Sequence, residues 1–187
     1  TRKESSAASD VYKRQVKGSL AWSLVPYYAA GQLLGAFVGA ILAWAAFKQL
    51  FDANGVDDNG NPTNANAETG GNFFTAPVHP NNFWNAVTEF IATFVLLAFI
   101  LFGPAGGELG PLTYFGVSFI IVSIGLSLGS PTGYAINPVR DLGPRLAYAF
   151  VLPIKGKGDA NWAYAWVPIV APMLAAVAAG ALAFAIG

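Results

Sequence analysis

Long apolar stretches alternate with short polar ones along this chain, and their lengths predict its elements. Three runs carry no charged residue, Gly18 to Phe47, Leu109 to Val139 and Ala160 to Gly187. Each exceeds the ~20 residues an α-helix needs to cross a bilayer core. A fourth, Phe90 to Gly107, is slightly shorter but is preceded by Glu89 and the apolar Phe83 and Trp84. The pattern predicts helices over about 24–47, 84–102, 112–128 and 164–186, an all-α membrane protein crossing the bilayer several times.

Details within these spans sharpen the picture. Gly31, Gly35 and Gly39 repeat every fourth residue in the first helix, which strips one face of side chains and predicts a closely packed neighbour. The last helix has an Ala/Gly-dense second half suited to the same packing, and Trp162, Tyr164 and Trp166 at its start suit an aromatic anchor at the interface. Between the first two spans, 52–82 is rich in Asn, Asp, Gly and Pro and is predicted to lie outside the hydrocarbon, where its backbone finds partners. Residues 1–15, "TRKESSAASDVYKRQ", lack periodicity and read as an unstructured tail of foreign character ahead of a membrane domain over 16–187.

Composition then removes classes of function. The chain of 187 residues is 55% hydrophobic and 11% charged, too apolar for an ordinary soluble domain. Ten basic residues balance ten acidic ones, so no basic stripe points to nucleic acid. There is no cysteine, and the single histidine, His79, cannot build a metal centre alone. No cofactor is expected. A membrane enzyme would need a nucleophile with its base or paired carboxylates in reach, but Glu89, Glu108, Asp141 and Asp159 fall on separate elements. Lys13, Arg14 and Lys17 favour a cytosolic start, but Lys155 and Lys157 would then fall outside, so loop charge orients the chain only weakly.

The segment "SPTGYAINPVRDLGPRL", Ser130 to Leu146, departs from a simple span. Ser130-Pro131-Thr132-Gly133 is predicted to break the third helix. Asn137-Pro138 then suits a new helix start, with Asn capping and Pro in the first turn. A helix over 138–150 would be about 20 Å long, half a membrane. Its first N–H groups would point at the bilayer centre, and irregular backbone at that depth persists only where protein covers it or it lines a wet cavity. Arg140 and Asp141 are therefore expected beside a polar path.

"GYAINPVRDLGPRL" resembles the second signature loop of the major intrinsic protein family, the aquaporins and glycerol facilitators, which there carry Asn-Pro-Ala followed by Arg. The likeness continues in "AAGQLLGAFVGA", similar to that family's third helix, "AVTEFIATFVLL", similar to its fourth, and "VPIVAP", similar to its sixth. The resemblance implies an aquaporin-like right-handed helical bundle, represented here by four transmembrane helices and one re-entrant half-helix. It implies that Asn137, Pro138 and Val139 form the pore asparagine motif, with Asn137 donating to passing oxygens, and that Arg140, Tyr134 and Gly125 form the selectivity filter. Glu89 is implied to be a buried acceptor for the re-entrant backbone. Gln32 faces either the pore or a neighbouring helix. Asp141 and Arg145, with Pro168-Ile169, resemble the glycerol-type members, the first two bracing the loop.

These positions imply passive flow of glycerol, other small polyols or urea, with water as co-permeant and with protons and ions excluded, through an integral homotetramer in the lipid bilayer of the plasma membrane. A water-selective aquaporin is the alternative, and a secondary transporter a more distant one. Two features depart from the family. Val139 stands for its alanine, adding two methyl groups where half-helices would meet, and one signature loop stands where the family has two. The chain thus reads as a piece of a six-span channel, not expected to conduct by itself.

Overall fold

The computed structural model describes residues 22–102 and 112–186. The N-terminal tail and the "GPAGGELGP" connection with Glu108 lie outside the described residues. Six helices are placed: α1 (Val25–Ala46), α2 (Lys48–Asn54), α3 (Asn82–Phe102), α4 (Leu112–Thr132), α5 (Pro138–Phe150) and α6 (Val167–Ile186). The described residues contain no strand, only an isolated bridge between Val56 and Pro62. Four helices, α1, α3, α4 and α6, are long and apolar enough to cross a membrane, and α5 is a 13-residue half-length helix.

The boundaries differ from the sequence pattern in three places, each for a local reason. Helix α4 runs past Leu128 through Pro131 to Thr132 and breaks at Gly133, whose φ of 78° places it in the left-handed region that favours glycine. A proline in a last turn is tolerated here, and the Gly133 N–H still closes on the Gly129 carbonyl at 2.8 Å. Helix α6 begins at Val167, because Asn161 to Tyr164 and Trp162 to Ala165 form tight turns ahead of it. Trp162 and Trp166 stay exposed, whereas Tyr164 turns inward and is buried. Helix α2, inside a stretch read partly as loop, follows α1 after Phe47 and buries Phe51.

The principal helix contacts form an arc: α1 packs on α5, α5 on α6, α6 on α3, and α3 on α4. Small residues set the spacing. Ala175, Ala176, Ala179 and Gly180 are buried in α6, with Ala176 and Ala179 packed beside Leu97 of α3. Among the described residues the glycine stripe of α1 meets no close neighbour. A Cβ on Gly31, Gly35 or Gly39 would meet nothing within 4 Å among the described residues, and the tight crossing uses α1's other side: a Cβ on Gly143 of α5 would come within 2.7 Å of Ala36 Cβ and 3.1 Å of Phe37 N. Glycine at 143, rather than the stripe, brings α1 and α5 together.

The long loop is tied inward at its far end. Phe73 and Phe74 are buried with Ala40, Phe51, Tyr148, Leu152 and Ile154, and both rings contact Tyr148, at centroid distances of 5.6 and 5.2 Å. That apolar pair carries the next residue, Thr75, into the molecule.

Candidate functional site

The site is built where α4 ends and α5 begins. Residues 133–136 connect them without regular structure, and Gly133, Tyr134 and Ile136 all have positive φ, 78°, 41° and 43°. Each such non-glycine residue costs on the order of 1–3 kcal/mol, so its surroundings must hold it there. Glu89, fully buried in α3, does so. Its Oε1 accepts from the Thr132 hydroxyl at 2.7 Å and the Ala135 N–H at 2.9 Å, and its Oε2 accepts from the Ile136 N–H at 2.8 Å. The N–H groups of Ala135 and Ile136 are thus turned toward α3, and no described backbone N–H outside the helices bonds to the carbonyls of Gly133, Tyr134, Ala135 or Ile136.

Asn137 opens α5 with an extended backbone, φ −158°, and its Oδ1 accepts from Val139 N at 3.0 Å and Arg140 N at 3.4 Å. The side-chain oxygen thereby satisfies two of the first-turn donors of the half-helix. What remains is the Nδ2 group, a donor on a residue that lines two cavities.

Two cavities meet at this residue. One, about 600 Å³, is lined by Tyr27, Tyr28, Gly31, Gln32, Gly35 and Ala36 of α1 with Asn137, Val139, Arg140 and Pro144. The other, about 200 Å³, is lined by Leu96, Ile121, Tyr134, Ala135, Ile136, Asn137 and Arg140. Asn137 and Arg140 belong to both, and Arg140 is exposed. Tyr134 bounds the smaller one with its ring laid on α4: a Cβ on Gly125 would lie 3.0 Å from Tyr134 Cζ, and one on Gly129 2.9 Å from its Cδ1. Gln32 lines the larger cavity, where its Oε1 is buried without a hydrogen-bond partner among the described residues. Val139 is half-buried on the same wall. Pro168 and Ile169 sit in the first turn of α6 and line neither cavity.

The opposite face of α5 carries a buried ionic network. Asp141 and Arg145, one turn apart and both fully buried, pair at 2.7–2.8 Å. Asp141 Oδ2 also accepts from Thr75 N at 2.8 Å and Thr75 Oγ1 at 2.6 Å. Arg145 donates to the carbonyls of Thr75 and Asn161 at 2.9 and 3.0 Å and to that of Ala160, and its guanidinium lies 4.2 Å from the Phe74 ring centroid. A buried ion pair offsets its desolvation only when the remaining donors and lone pairs are filled, and here they are. Arg140 and Arg145, five residues apart, thus have opposite surroundings.

Thr75 and Thr132 escape sequence reasoning, because threonine in a polar loop or at a helix end carries no signal by itself. For Thr75 one cue existed: Phe73-Phe74 is an apolar pair in an otherwise polar loop. Asn66 is a third such residue, its Nδ2 donating to the carbonyls of Phe51 and Lys155, both at 2.8 Å. Among the described residues no cluster of His, Cys, Asp or Glu has the form of a metal site.

Comparison with known proteins places this architecture. Residues 14–184 match the family model described as major intrinsic protein. The chain is 45% identical over 157 residues to the "Glycerol uptake facilitator protein" of Bacillus subtilis (strain 168), covering 84% of this chain and 54% of that protein. It is 41% identical over 169 residues to "Glycerol uptake facilitator protein 3" of Lactiplantibacillus plantarum, covering 90% and 66%. The chain therefore spans between about half and two thirds of the length of these relatives. Its fold is similar to the X-ray structure of the aquaglyceroporin from Plasmodium falciparum, with a TM-score of 0.68 and 26% identity over 94% of this chain and 69% of that one. With a broken fourth helix, a capped half-helix, four apolar spans and a match over nearly its whole length, the chain is an integral membrane protein that belongs to the major intrinsic protein family.

Proposed function

We propose that this chain forms the Arg140-bearing part of a passive channel for glycerol and other small uncharged polyols or urea, with water as co-permeant, and that the whole channel is a homotetramer. The names of the two bacterial relatives support the solute class. The observation that carries the reading is the seat of Tyr134 on Gly125. Without a side chain at 125 the ring is drawn back against α4, so the cavity it shares with Arg140 is wider than a ring held off α4 would leave it. A solute meets a fixed guanidinium fork on one side and an aromatic face on the other, an arrangement suited to a molecule with hydroxyls along one edge and carbon along the other. Asn137 Nδ2 and the carbonyls of 133–136 then offer a donor and a line of acceptors. Arg140 and the positive end of α5 oppose cations, including protons.

A water-selective pore would be narrower at this point, and Gly125 speaks against it. A transporter would need coupled ions and a moving site, whereas Arg140 and Tyr134 sit on elements fixed by Glu89 and Asp141.

The test uses vesicles bearing this chain joined to the part of the Bacillus subtilis relative that the match leaves uncovered. Stopped-flow light scattering should show glycerol entry well above protein-free vesicles. Gly125→His should overpack the filter by about 1–3 kcal/mol, lowering glycerol entry roughly 5- to 150-fold while sparing water. Equal loss of both, or of neither, would count against the filter.

A further inference from the structure

Beyond the filter, the other end of the half-helix has its own anchor. Lys157, half-buried in the connection between α5 and α6, directs its Nζ at the carbonyls that end α5, donating to Tyr148 O, to Leu152 O at 2.8 Å and to Ala149 O at 3.5 Å. Tyr148 and Leu152 are 0% and 1% exposed, so the carbonyls there are shielded and an ammonium is their principal partner. The charge also sits at the negative end of the helix dipole, where a cation is favourable. Burial pushes the ammonium below the ordinary lysine range, which an exposed side chain would not experience.

The lysine is itself held. It lies between two glycines that press on the long loop: a Cβ on Gly156 would come within 2.6 Å of Thr63 O, and one on Gly158 within 2.3 Å of Ala67 O. Asn66, between those loop residues, donates to Lys155 O at 2.8 Å. Asn66 thus ties the loop to the 155–158 segment, and Lys157 ties that segment to the end of α5.

We propose that Lys157 is a positioning residue for the half-helix, clamping its C-terminal end to the long loop so that Asn137 and Arg140 at the other end are held in register with the pore. Its consequence for flux rests on the channel reading above, but its consequence for α5 does not. A charge is needed at this point, and Lys155, exposed two residues earlier, has no such role.

The test compares K157Q, K157R and K155Q in two measurements. Hydrogen exchange on the chain in nanodiscs should show amides from Val139 and Arg140 through Leu152, in α5 and just past its end, exchanging roughly tenfold faster in K157Q, with K157R restoring protection and K155Q matching the parent. In the joined channel, K157Q should lower the glycerol-to-water permeability ratio about threefold or more, and K157R should recover it. Protection confined to the parent value across all of α5 in K157Q would overturn the proposal, as would faster exchange that spares Val139 and Arg140. Recovery of K157Q only as aggregate would assign Lys157 to folding and overturn it too. A parent channel without glycerol flux would instead sink the channel reading, leaving the exchange result to decide the clamp.

Discussion

Glu89 serves three donors with two oxygens, and this makes it the residue on which the strained turn depends. The Thr132 hydroxyl and the N–H groups of Ala135 and Ile136 all point at one carboxylate. In Glu89→Gln the oxygen can keep two of them, but the amide group must then face the third donor. Losing one charge-assisted bond costs about 1.5–3 kcal/mol, and the positive φ of Ile136 loses its restraint. Thermal unfolding of E89Q should fall by that amount, with a drop in permeability exceeding any loss of folded protein. An unchanged melting temperature would show that the turn holds itself. Glu89's place as a buried acceptor is implied by the family resemblance rather than by its own helix, where a lone charge could equally sit at the interface, whereas the start of α5 is legible because cap and proline are local in sequence. Thr75 and Asp141 are 66 residues apart, and no local pattern encodes such a pairing.

At the scale of elements, the α1–α5 crossing and the long loop each carry a test. Gly143→Ala places a methyl against Ala36 and the backbone of Phe37 and Leu33. Backbone cannot rotate away, so overpacking should cost about 1–3 kcal/mol. Gly39→Ala meets nothing within 4 Å and should stabilise this chain by about 0.5–1 kcal/mol through helix propensity alone. Denaturant titration of both variants in detergent checks the contrast. The sequence pattern pointed to the stripe because spacing shows which face is bare, never which neighbour covers it. In the loop, Asp57 accepts from the Asn61 side chain and from the backbone N–H groups of Asn61 and Asn59, which, the side-chain bond foremost, hold its pKa below the ordinary 3.8. A carboxylate depressed on folding stabilises above its unfolded value and loses that contribution as pH falls through the folded one. The Asn61 side-chain amide signal should therefore stay constant at neutral pH and move only below 3.8; movement near neutrality would exclude Asp57 as its partner.

For the molecule as a whole, the Asp141–Arg145 network joins what the helix arc leaves separate: the half-helix, the long loop through Thr75, and the turn before α6 through Ala160 and Asn161. Sequence could supply the helices and their number of crossings, since apolar length is a one-dimensional property, but not this junction, whose members are drawn from three separated segments. The junction also predicts an unusual mutational cycle. Removing one partner of a buried pair costs about 3–5 kcal/mol, while replacing both with apolar residues is often neutral. Here the second half of that rule should fail. Arg145→Met strands Asp141 and the carbonyls of Thr75, Ala160 and Asn161; adding Asp141→Leu removes the stranded charge but leaves those carbonyls, and frees the Thr75 N–H and hydroxyl as well. Each orphaned buried group costs about 1–3 kcal/mol, so the double variant should be no more stable than R145M. A double-mutant cycle from denaturant unfolding in detergent reads this directly. Recovery of the double variant to near-parental stability would mean that the pair matters to itself alone, and that loop, half-helix and turn are held together elsewhere.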